Sequence, residues 1–305
     1  MPLIYSIIAP LLIISSVAVY QGEAFTAIET ARLLQNCMLI AGIGTLLQLY
    51  PIWKIGSGLP VVMGISFTFL AACLATASQD YGIMVGAIIV GGCFEGVLGL
   101  TAKYWRKIIS PLVSACVVVS IGLSILNVGV SSFGSSSAYP LGSWQNLLVA
   151  TITLAAALSG GVFGCSPITS FSQNVGLISM THVVNRFTIM FGALAMILGG
   201  LFPPIGAFFT TLPDCVLGGC TVIMFGSIMM SGVRMMHDAG MNQRNTLIAA
   251  TSICLGVGAT QVDGFFDNLP SVFGEIFAGN MVAGVFVVGL ILEICLPKDI
   301  SKYEI

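Results

Sequence analysis

Charge is what this chain has least of. Asp, Glu, Lys and Arg make up 7% of its 305 residues, whereas a soluble domain carries about 25%. A surface so poor in charge cannot face water, which excludes a soluble enzyme or binding domain. The net charge of −2 says nothing about partners, and no nucleic acid is expected. Histidine is scarcer still, with only His182 and His237 present. There is no HExxH run and no Ser/His/Asp arrangement, so metal hydrolysis and triad chemistry lack their residues. The nine cysteines include no CxxC pair. Neither a metal site nor a disulfide framework is therefore expected, and Cys73, Cys93 and Cys254 read as small hydrophobes. Met1-Pro2-Leu3 is apolar at once, without the charged n-region of a signal peptide.

What remains is hydrocarbon and glycine. Hydrophobic residues are 57% of the chain, with 36 glycines, and the mean hydropathy is +1.03. These values predict an all-α polytopic membrane protein whose helices approach through small side chains. Apolar runs fall at 3–20, 33–50, 59–77, 81–100, 109–130, 144–163, 168–184, 187–202, 213–233, 245–260 and 277–296. They give about eleven membrane segments. Two are not simple helices. Gly56 to Phe67 and Gly164 to Asn174 each open with Gly and Pro among β-branched residues, which predicts a short extended stretch leading into a helix. A matched pair of interrupted segments, one per half, predicts an inverted-repeat transporter with its site between them. A weaker echo supports the repeat: Ser114-Ala115-Cys116 lies before Gly122 as Gly218-Gly219-Cys220 lies before Gly226.

The second interrupted segment carries Gln173-Asn174-Val175-Gly176, then Thr181, His182 and Arg186. Two adjacent amides at membrane depth need partners, since an unpaired amide in hydrocarbon costs roughly 4–8 kcal/mol on an alkane scale. They either line a substrate pathway or bond neighbouring helices across the bundle.

The run Gln-Asn-x-Gly-x-x-x-x-Thr with a following Arg resembles the motif of the nucleobase–ascorbate transporters, also called nucleobase–cation symporters. Gly58 to Phe67 resembles the third span of that family, and Phe163 to Ser172 the approach to its tenth. The likeness extends along the whole chain. It implies a fold of fourteen spans in two inverted sets of seven. Against that pattern Trp144 to Leu158 looks like the start of the sixth span, while Ser159 to Gly164 already looks like the end of the ninth. The join thus lacks about three spans, on the order of a hundred residues. The expected domains are 1–158, a first repeat truncated near its end, and 159–305, a second repeat lacking its first spans. The resemblance also places Met1 inside the first span.

Charge placement agrees with a loss. Loops rich in Lys and Arg stay in the cytoplasm. With the first residues inside, Lys54 and the cluster Lys103, Arg106 and Lys107 fall inside, and Arg32 outside beside Glu23 and Glu29. Counting back from a cytoplasmic tail puts Arg244, Arg234 and Arg186 inside. Yet three crossings separate Lys107 from Arg186, an odd number. Either one segment is re-entrant or an odd number of spans is missing.

The resemblance implies a purine substrate held between the third, eighth and tenth spans. Gln173 would read the alternating donors and acceptors of the purine edge, and Asn174 would hold the broken segment in shape. Gly176 would permit close backbone approach. Ser66 would supply a backbone contact and Phe67 an aromatic wall. Thr181 and Arg186 are structural or coupling candidates. Gln at the first motif position favours xanthine or uric acid over uracil. The expected function is cation-coupled symport of an oxidised purine across the plasma membrane, with a proton or sodium as coupling ion and no cofactor. Symport should be impaired here, because the family's coupling carboxylate lies on the missing eighth span. Glu95 is the one acid deep in a retained span, and it reads as a displaced coupling acid or as a residue paired within the bundle. Asp214 and His182 read as interfacial, and His237 as part of a solvated loop. The alternatives are another nucleobase permease, a non-transporting fragment, or an anion carrier of sulfate type on the same fold. A homodimer is compatible with the resemblance.

Overall fold

The computed structural model describes residues 26–52, 62–64, 81–105, 108–135, 139–162, 186–262, 264–266 and 280–297, with positions 56, 58, 73, 274, 276 and 277. Every regular element among them is a helix. Helix α1 (Ala27–Leu49) starts at a capping box, in which Thr26 Oγ1 accepts from Glu29 N–H and the Glu29 carboxylate accepts from Thr26 N–H. It stops at Tyr50, before Pro51, where the chain turns away from α space. Next come α2 (Tyr81–Leu100), α3 (Ala102–Trp105), α4 (Pro111–Ser124) and α5 (Leu126–Gly134). Helix α4 opens with Pro111 behind Ser110, whose hydroxyl accepts from Val113 N–H at 3.3 Å. The order continues with α6 (Trp144–Val162), α7 (Arg186–Leu201), α8 (Pro203–Thr210), α9 (Asp214–Asp238), α10 (Gln243–Gln261) and α11 (Met281–Cys295).

Four helical stretches among the described residues are long and apolar enough to cross a membrane: Ala27–Leu49, Tyr81–Leu100, Pro111–Gly134, which joins α4 and α5, and Cys215–Asp238. The bent pair Ile189–Leu201 with Pro203–Thr210 makes a fifth if counted as one span. The apolar runs predicted at 33–50, 81–100, 109–130, 144–163, 187–202, 213–233, 245–260 and 277–296 each coincide with helix. Those at 3–20 and 168–184, and most of 59–77, lie outside the described residues. Two details differ from the sequence reading. Pro203 and Pro204 do not merely end a span; they begin α8, at 96° to α7. Helix α9 also runs on to Asp238, so His237 sits in its last turn rather than in a loop.

The chain divides into two compact units, each assembled from both halves of the sequence. Unit 1 comprises Met1–Asp80 and Leu126–Phe225, and unit 2 comprises Tyr81–Ile125 and Gly226–Ile305. The expected divisions 1–158 and 159–305 each contribute residues to both units.

In unit 1, α1 and α7 run antiparallel in close contact. Gly200 lies where an added Cβ would stand 2.8 Å from Gln35 O and Leu39 N, and Gly42 faces Ala193 O at 2.9 Å in the same sense. Lipid tails are as apolar as leucine, so helices in a bilayer gain little from leaving them. Backbone approach and dispersion hold them instead. Leu34 and Met38 are fully buried and take Phe209 of α8 against them. Further along, the first half of α9 meets α5 and α6. Gly218 rests on the backbone of Ser132 and Phe133, and Gly219 faces Ala150 O. Asn146, buried near the start of α6, donates its amide hydrogens toward the carbonyls of Gly134 at 3.0 Å, Pro140 at 3.2 Å and Tyr139 at 3.4 Å. It closes the α5–α6 connection.

In unit 2, Leu112, Cys116, Ile248, Ala249 and Val285 form a core shared by α4, α10 and α11. Gly256 packs on Val285, and Gly284 lies against Gly256. At the end of this bundle Arg244 Nη1 donates to Glu293 Oε1 at 3.2 Å, and Nη2 and Nε reach the carbonyls of Glu293, Leu296 and Pro297. One guanidinium therefore neutralises an acid and caps the last turn of α11. Helix α2 is exposed along its length apart from the buried Met84 and the half-buried Tyr81 and Val85.

Candidate functional site

The site is best built from the non-helical chain after α1. Gly56 and Gly58 have φ of +98° and +70°, a region that favours glycine. These turns return the chain along the helix it has just left. Gly58 N–H donates to Gln48 O at 3.0 Å. Met63 N–H then donates to Thr45 Oγ1 at 2.9 Å, while Thr45 donates to Ala41 O at 2.7 Å and stands 3.4 Å from Met63 O. Gly44 leaves room for this approach, since a Cβ there would already touch Met63 Cβ at 3.4 Å. Thr45 is fully buried, so its hydroxyl is the partner that satisfies Met63 N–H away from water. Val62, the residue before, is buried with Ala41 and Met196, and Ile189 packs on the same cluster. The chain at 62–64 is thus non-helical, fastened to α1 through Thr45 and packed on Met196 and Ile189 of α7.

These contacts join the described flanks of the two interrupted segments. Met63 and Gly64 lead directly to Ser66 and Phe67, and α7 begins at Arg186, just beyond the Gln-Asn motif. Ser66, Phe67, Gln173, Asn174, Gly176, Thr181 and His182 themselves lie outside the described residues. Arg186 is exposed at the first position of α7. Glu95 is not among these groups. It belongs to α2 in unit 2, is exposed, and bonds to none of the described residues. Among the described residues, no three His, Cys, Asp or Glu side chains gather where they could hold a metal.

Three polar features were not singled out by their sequence. Thr45 was legible in principle, as a hydroxyl behind two glycines in Gly42-Ile43-Gly44-Thr45, where small residues let another backbone come close. Asn146 follows the Pro140 to Gly142 turn, a place where an amide commonly closes a loop. The Arg244–Glu293 pair spans two distant stretches of chain, and nothing local announces it.

A family model described as a permease family, Xan_ur_permease, matches residues 5–160 and again 156–265. Xanthine permease XanQ of Escherichia coli (strain K12) is 25% identical over 414 positions, covering 95% of this chain and 88% of that protein. Xanthine permease XanP of the same strain is 24% identical over 419 positions, covering 96% and 89%. A xanthine permease of Bacillus subtilis (strain 168) is 26% identical over 388 positions, covering 90% and 88%. Each alignment is longer than the 305 residues of the chain. With the apolar helices and the paired motifs, these matches place the chain in the nucleobase–ascorbate transporter family, in the branch of the xanthine permeases, as a multi-pass protein of the plasma membrane and not an enzyme.

Proposed function

We propose that this chain is built to bind an oxidised purine, xanthine or uric acid, between its two interrupted segments. The observation that carries the reading is the motif Gln173-Asn174-Val175-Gly176 in a chain whose relatives are named xanthine permeases. An amide side chain presents one acceptor and two donors on a planar group, which matches the alternating edge of a purine. Leaving those groups unpaired when the wrong ligand enters costs far more than losing a methylene contact. Gln173 is the reader, Asn174 and Gly176 shape the broken segment, and Ser66 and Phe67 complete the pocket from the first half. The packing of Val62 against Met196 and Ile189 supports this pairing of segments.

In the family, transport is driven by a proton or sodium gradient, and this chain lacks the means to couple to it. Two observations support an internal loss at 158–159: the family match falls into two stretches that meet at 156–160, and the alignments exceed the chain's length. The missing stretch, on the order of a hundred residues or three spans with loops, would hold the coupling carboxylate.

Uptake of radiolabelled xanthine and uric acid, in cells without their own carriers, tests both parts. This chain, its Gln173→Ala variant and a version with the absent spans restored are compared at equal surface level. Uptake by the restored version alone, abolished by Gln173→Ala in that background, is the expected result. Proton-dependent accumulation by the 305-residue chain would refute the loss of coupling, and uptake indifferent to Gln173→Ala would refute the site.

A further inference from the structure

We infer that Thr45 is a positioning residue for substrate recognition, fastening to α1 the segment at 62–64 that leads in sequence to Ser66 and Phe67. The inference rests on the purine-site reading above. Helix α1 contributes no side chain to the motif, yet the chain after it is laid back along its final turns at two points. Gly58 N–H bonds Gln48 O at 3.0 Å, and Met63 N–H bonds Thr45 Oγ1 at 2.9 Å. The first bond uses a backbone carbonyl that any residue provides. The second depends on one hydroxyl, which is itself oriented by its 2.7 Å bond to Ala41 O. With its proton committed to Ala41, the oxygen keeps its lone pairs for Met63.

This geometry fixes more than one bond. Val62 is buried against Ala41 and Met196, and Met63 is more than a third exposed on the other side. Thr45 therefore holds 62–64 with Val62 in the cluster between α1 and α7 and Met63 turned out of it. The hydroxyl is fully buried, so water cannot take its place when it is removed.

Two variants separate this role from packing. Thr45→Val keeps shape and apolar volume but removes the acceptor, whereas Thr45→Ser keeps the acceptor. Hydrogen exchange of the full chain in lipid nanodiscs reads the segment at 58–64, with α1 and α7 as internal controls. Equilibrium binding of labelled xanthine reads the site, with Gln173→Ala beside it. The expected result is faster exchange at 62–64 and about tenfold weaker xanthine binding in Thr45→Val, with Thr45→Ser within about twofold of wild type in both.

Exchange at 62–64 unchanged in Thr45→Val, while binding still depends on Gln173, would overturn the role of Thr45 alone. Faster exchange with unaltered affinity would show a pin that does not position the site, and would also overturn the inference. Xanthine binding that is absent, or indifferent to Gln173→Ala, would bring down the reading of the site and the inference with it.

Discussion

Gly218 and Gly226 are two turns apart on α9, and replacing each with alanine should move stability in opposite directions. At Gly218 an added Cβ would enter the backbone of Ser132 and Phe133, against Phe133 N, Phe133 Cα and Ser132 C. Backbone atoms have no rotamer to give way, so α5 and α9 must separate locally by about an ångström, and neighbouring contacts loosen with them. Overpacking of this kind costs about 1–3 kcal/mol, more where backbone must move. At Gly226 the added Cβ meets nothing within 4 Å. There alanine only removes the conformational freedom of glycine in a helix, a gain of about 0.5–1 kcal/mol. The two variants should then differ by about 1.5–4 kcal/mol, or roughly 3–16 °C in midpoint at about 2–4 °C per kcal/mol. Thermal unfolding in detergent, followed by size-exclusion of the fluorescently tagged protein, measures this directly. Midpoints within a degree of each other, or a lower midpoint for Gly226→Ala, would refute the packing of α5 against α9.

Other substitutions test other parts of the fold. Arg244→Ala should cost about 2–4 kcal/mol, because it leaves the partly buried Glu293 unpaired and uncaps α11. Arg244→Lys should recover part of that in the same melting assay, since one ammonium cannot span four acceptors. Asn146→Asp should destabilise the α5–α6 connection by about 1–3 kcal/mol, because a carboxylate cannot donate to the carbonyls of Gly134 and Pro140. Faster proteolytic cutting between 134 and 144 reports it. Val62→Ala should weaken the docking of the extended segment on Met196 and raise its hydrogen exchange without changing that of α10 and α11.

Apolar helices were legible in the sequence from the length of their hydrocarbon runs: those at 81–100, 109–130 and 144–163 each coincide with helix, while caps such as Thr26 and Ser110 fix where it starts. The interruption near 56–64 was legible as well, from glycines and a proline, and the described residues there are non-helical. What the sequence concealed is how the pieces meet. The echo between Gly122 and Gly226 looks symmetric on paper, yet Gly122 is pressed against Met229 and Gly226 faces open space. Identical residues at matching spacing acquired different jobs, since packing depends on the neighbour, not on the repeat. Helix α8 was hidden for a related reason. A Pro-Pro pair reads as an end to one helix, and the local sequence does not say that another starts there. Thr45 was missed because a threonine inside a span usually bonds its own helix, and this one does so while also serving a second chain segment.

The turn between α7 and α8 carries a consequence for where it can sit. Any new helix begins with four amide hydrogens that its own ladder cannot satisfy. At this junction none is left over. Phe202 N–H is taken by Leu198 O at 3.1 Å, Pro203 and Pro204 have no amide hydrogen, and Ile205 N–H closes on Phe202 O at 3.0 Å. The break therefore leaves no amide hydrogen bare; what it frees are the carbonyls of Gly199 and Gly200, whose ladder donors would have come from positions 203 and 204, beside the exposed Leu201, Phe202 and Phe208. The two prolines thus turn the chain by withholding donors, and they make the turn a place where two carbonyls call for a donor from a neighbouring helix, a ligand or water.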